Sequence, residues 1–130
     1  IIIYGAITDP NPPVPDIKVN GQDGPVAVST DDTVNITIEL AAGSRLGQMA
    51  DWWVVAYEPA MGWASYVHPM GWVMQLTPCV QLNMVNILSA VNVYSGKLNV
   101  GTYVFYFAVD SNADGDPQGT WLDTGTVTVQ

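Results

Sequence analysis

Between Val34 and Leu40 the sequence alternates strictly. Val34, Ile36, Ile38 and Leu40 are apolar, and Asn35, Thr37 and Glu39 between them are polar. A period of two is the signature of a strand with one face buried and the other wet. No helical stripe of ten or more residues accompanies it, which commits the chain to an all-β fold. Shorter β-prone runs repeat along the sequence: Ile17–Val19, Val26–Val28, Trp52–Tyr57 halted by Glu58-Pro59, Val91–Tyr94, Thr102–Val109 and Thr124–Val129. Asn20-Gly21 and Asp23-Gly24 provide positive φ at low cost and place a hairpin or tight corner between the first two. Residues 60–90 are less regular, with short apolar runs at Trp63–Val67, Trp72–Leu76 and Val85–Leu88. Strands at this spacing, separated by Gly- and Asp-bearing turns, predict a two-sheet antiparallel β-sandwich.

Leu98-Asn99-Val100-Gly101-Thr102-Tyr103 matches the L-x-x-G-x-Y pattern of a tyrosine corner, in which the phenol bonds back to upstream backbone. With Trp52 in mid-chain and a final Thr-Val-Thr-Val strand, residues 16–130 resemble the immunoglobulin-like or fibronectin type III-like modules of secreted bacterial or archaeal proteins. The paired cysteines of true immunoglobulin domains are absent, and the 60–90 region is unusually long. The resemblance implies binding, spacing or assembly rather than catalysis.

A length of 130 residues suits one domain. Twelve acidic against three basic residues give a net charge of -9, which excludes nucleic acid as a partner, since phosphate neutralisation needs clustered Lys and Arg. An anionic membrane surface is excluded on the same ground. Charged residues make up only 12% of the chain, so Thr, Ser, Asn and Gln must finish the surface. No run approaches the roughly 18 apolar residues of a membrane span. The single cysteine, Cys79, allows no internal disulfide.

The N-terminal end has a different character. Residues 1–8 begin Ile1-Ile2-Ile3-Tyr4, include Ile7, and read as a β arm. Residues 9–15 hold four prolines and read as a stiff linker spanning roughly 20 Å at about 3.1 Å per residue. The start on Ile1 without a methionine is expected of a processed precursor. Exposed on a soluble monomer, such an arm is an aggregation hazard, so it is either the first strand of its own sandwich, with the prolines as a bend, or it calls for a committed partner. Delivered to an open sheet edge on a second copy, it gives donor-strand assembly, and a head-to-tail contact that does not close into a ring makes a filament.

Three further constellations carry chemistry. Asp110, Asn112, Asp114 and Asp116, with Gly115 after the third, place oxygen donors at alternate positions of a tight loop, as a calcium loop does. Trp121 stands where the helix-loop-helix version has its bidentate Glu, leaving Asp123 to close the shell. The competing reading is a solvated Asp- and Gly-rich hairpin. Trp52 and Trp53 face opposite ways on one strand, so only one enters the core. Trp53, Trp63 and Trp72 are candidates for stacking on a sugar ring, against the alternative that the 60–90 loops cover them. His68 and Cys79 are each the only residue of their kind, with no orienting third group, and no catalytic site is assigned. Asn35-Ile36-Thr37 fits a glycosylation sequon.

Together these features predict a secreted, extracellular or cell-surface structural subunit, a homo-oligomer of pilus-like filament or adhesive surface assembly, joined through Ile1, Ile2, Ile3, Tyr4 and Ile7. The alternative is a calcium- or carbohydrate-binding module of a larger secreted protein.

Overall fold

A computed structural model describes residues 11–111 and 121–130. Among these residues ten strands build two packed sheets: β1 (Val14–Val19), β2 (Val26–Val28), β3 (Val34–Ala41), β4 (Met49–Glu58), β5 (Gly62–Val67), β6 (Gly71–Val73), β7 (Val80–Asn83), β8 (Ile87–Gly96), β9 (Gly101–Asp110) and β10 (Trp121–Val129). The smaller sheet has the order β1-β3-β8, and the larger runs β2-β10-β9-β4-β5-β6, with β7 also paired to β4. The all-β sandwich expected from the alternation is present. One departure is the parallel pairing of β2 with β10 in an otherwise antiparallel fold.

The alternating stretch becomes β3, and its four apolar residues are all buried. They meet Ile17 and Val19 of β1 and the inward residues of the larger sheet, Trp52, Val54, Phe105, Phe107, Val127 and Val129. Trp52 enters this core, stacks on Phe107 with ring centroids 6.2 Å apart, and donates its indole N–H to the Leu82 carbonyl. The tyrosine corner forms: the Tyr103 hydroxyl donates to the Asn99 carbonyl at 3.0 Å. Asn20 and Gly21 both take positive φ, 50° and 75°, and turn the chain at the end of β1.

β1 begins two residues inside the stretch that reads as linker, because Val14 and Pro15 pair with Ala41 and Leu40. Proline is tolerated there because β1 is an edge strand among the described residues. The irregular 60–90 region resolves into β5, β6 and β7. These strands are of only three to six residues, and β8 starts at Ile87, four residues earlier than its sequence pattern indicates.

Candidate functional site

The two ends of the smaller sheet differ in chemistry. β1 carries Pro15, Asp16 and Lys18, and Lys18 pairs with Asp16. Charge and proline are the usual means by which an edge strand is kept from pairing with another chain. β8, the other edge, is ten residues long and pairs only with β3 among the described residues. Its sequence, Ile87 to Gly96, holds neither a charged residue nor a proline. Leu88 is 75% exposed and Val91 46%.

This edge belongs to a larger uncharged region. Residues 59–96 contain no Asp, Glu, Lys or Arg, although the chain as a whole has fifteen. They form β5, β6, β7 and β8, which among the described residues place one edge of each sheet on the same flank of the sandwich. Nine of the fourteen exposed large hydrophobic side chains among the described residues fall in this window. Three of them are methionines, Met61, Met70 and Met74, whose flexible thioethers adapt to an apolar partner. The charge-free run of 38 residues is legible in the sequence, yet hydrophobic pattern alone does not reveal that it folds onto one flank.

Between the two edges lies a cavity of about 150 Å³. Met61, Ala64, Trp72 and Met74 border it from the larger sheet's side, with Phe105 at its base, and Tyr94 borders it from β8. Trp72 joins the two sheets by donating its indole N–H to the Val93 carbonyl at 2.9 Å. Its ring meets both Tyr94 and Phe105 edge-on. The hydroxyl of Tyr94 is turned away to the Lys97 carbonyl, so its ring, not its polar end, serves the cavity. Burial raises the Tyr94 phenol above its ordinary value.

The residues marked in the sequence are distributed as follows. Ile1, Ile2, Ile3, Tyr4 and Ile7 lie outside the described residues, as do Asn112, Asp114 and Asp116. The chain enters the described body at Asn11, whose carbonyl accepts the Ser44 N–H in the short 3-10 turn Gly43–Arg45. That turn follows β3, at the opposite end of the sandwich from the loop between β8 and β9. Gly43 is needed for this approach, because a Cβ there collides with the Asn11 carbonyl.

Asp110 is buried at the end of β9, directly opposite buried Asp51 of β4. Asp123 pairs with Phe107 and faces the other side of the sheet, where its carboxylate accepts the Ile17 N–H at 2.8 Å. Asp110 and Asp123 therefore do not converge on one point. No group of three or more metal-type ligands occurs among the described residues.

Of the three tryptophans, Trp53 is on the outer face of the larger sheet but only 3% exposed, packed with Val55 and Ala108, and so offers no ring to a sugar. Trp72 faces the interior. Trp63 alone presents a ring, 40% exposed between Tyr57 and Tyr106. His68 and Cys79 are connected through backbone, the His68 N–H donating to the Cys79 carbonyl. Burial pushes the Cys79 thiol up, which disfavours the thiolate a nucleophile requires. Asn35 faces outward, as alternation predicts, and its amide oxygen accepts the Ser95 hydroxyl.

No helix among the described residues is long and apolar enough to cross a membrane. No family model, curated protein or solved structure matches the chain.

Proposed function

We propose that this chain is an extracellular structural subunit of a filament or surface assembly, joined head-to-tail as its N-terminal strand docks on a neighbouring copy. The observation that carries this reading is β8: among the described residues, a long, uncharged, proline-free edge on a flank rich in exposed apolar side chains. Soluble monomers avoid such edges, because unpaired N–H and C=O groups beside apolar surface recruit other chains. The same chain carries, ahead of its prolines, a segment of four isoleucines and a tyrosine within seven residues, which has the composition of a strand. Strand addition uses both halves of this match: the backbone ladder contributes affinity, and pockets for alternate side chains contribute specificity. The tyrosine corner supports the likeness to immunoglobulin-like modules, for which assembly and binding are ordinary roles.

Removing residues 1–8 tests the proposal. The full-length chain is expected to form oligomers that grow with concentration in sedimentation velocity and to appear as particles or fibres by electron microscopy. The shortened chain is expected to sediment as a monomer with an unchanged circular dichroism spectrum. A shortened chain that assembles as the full-length one does overturns the reading.

A further inference from the structure

The two sheets are unequal. Among the described residues the larger sheet has seven strands, six of them side by side, and the smaller has three. β1 packs over β10 and β9 at one side, so the smaller sheet ends at β8 before the larger one does. Over the inner face of β5 and β6 the sheets are bridged by Trp72, which reaches the Val93 carbonyl and the Tyr94 ring of β8. The cavity of about 150 Å³ lies in this shortfall. An apolar recess of that size has room for a small ring or a branched aliphatic group.

We propose that the smaller sheet is completed by a fourth strand from a second copy, namely residues 1–7, which pairs with the free edge of β8. One isoleucine of that strand fills the cavity between Trp72, Met74 and Tyr94. This rests on the assembly reading above and names its acceptor. Alternate side chains of a strand beside β8 point into the space between the sheets, and in Ile1-Ile2-Ile3 every alternate position is aliphatic. The occupant comes from another copy for two reasons. The arm departs at Asn11, which is held at the end of the sandwich opposite the cavity mouth near Met61 and Leu98. Pro10, Pro12 and Pro13 around that point favour extended chain over the reversal that folding back requires. An exit at one end and an acceptor toward the other form a heterologous contact, which propagates.

The test uses two kinds of full-length variant. Ile2→Asp with Ile3→Asp disables the donor whichever face of the strand turns inward. Ala64→Leu fills the cavity from within, and Met74→Glu places a charge at its mouth; Met74 is 64% exposed, so that second change leaves folding intact. Each variant alone is expected to associate roughly ten- to a hundredfold more weakly than the parent, the loss that follows when one aliphatic side chain is no longer buried. Mixing the donor variant with either cavity variant should restore association as one-to-one dimers that grow no further. If both cavity variants assemble like the parent while the donor variant does not, the acceptor is elsewhere and the assembly reading stands. If the donor variant also assembles like the parent, that reading itself fails. A full-length chain that is monomeric at every concentration, whether or not the donor substitutions lower its melting temperature, overturns both.

Discussion

Tyr103 is a side chain whose ionisation and position are linked. Its ring is buried at the root of β9 and its hydroxyl donates to the Asn99 carbonyl. Burial, then the charge of Glu58, then Tyr94, hold the phenol above its ordinary value of 10.0, with the Asn99 bond acting the other way. A group whose folded-state value is raised contributes stability that is complete below the unfolded value and lost as pH rises through the folded one. The Tyr103 contribution to the melting temperature is therefore expected to be level up to about pH 10 and to fall above it. Tyr103→Phe should cost about 1 kcal/mol at neutral pH, the net value of one hydrogen bond, and should flatten the alkaline fall. Thermal melts from pH 8 to 11.5 check both parts. An equally steep fall in the variant would assign the alkaline limb to the other raised groups, Cys79, Tyr94 and Lys18.

At the scale of elements, the two sheets are joined by polar contacts as well as by the core. The Asp123 carboxylate of β10 accepts the N–H of Ile17, whose residue is wholly buried in β1. Asp123→Ala leaves that amide without its acceptor and is expected to destabilise the protein by about 1–3 kcal/mol, read from the urea midpoint. Asp123→Asn keeps an amide oxygen in place and should cost less. A loss within about 0.5 kcal/mol for the alanine variant, the range of an ordinary surface change, would show that the contact does not hold the sheets together. In sequence, Asp123 reads equally as a metal ligand, because an acidic residue near an Asp-rich loop looks the same whichever sheet face it occupies. β3 is legible for the opposite reason: one face is buried along its whole length, so the alternation is unbroken. β5, β6 and β7 are too short to show a period. β8 contains register shifts at Ile36/Thr37 and Ile38/Leu40 of its partner, and a bulge displaces the alternation that would identify it. Trp52 and Trp53 are separated correctly by their adjacency on one strand. That Trp53 is nonetheless buried follows from its packing with Val55 and Ala108, which lies beyond the reach of local pattern.

For the whole molecule, the net charge of -9 is carried outside residues 59–96, while the proposed acceptor flank carries none. Association of two such copies is therefore opposed by long-range repulsion between their charged parts and favoured by short-range apolar contact. Salt acts on these unequally. Screening shortens electrostatic reach from about 10 Å at 0.1 M to about 3 Å at 1 M, and leaves the burial of aliphatic side chains intact. Assembly is accordingly expected to strengthen as sodium chloride rises from low concentration to about 1 M, with the sedimentation boundary moving to larger species. A contact built on ion pairs responds in the opposite sense. Weakening with salt would place the interface on the charged side of the sandwich, at β1 with its Pro15, Asp16 and Lys18, instead of at β8. The same titration on the donor variant is an internal control. Two added aspartates per arm steepen the repulsion at low salt, but screening cannot restore the isoleucine that the cavity lacks, so its association should remain weak even at the highest salt.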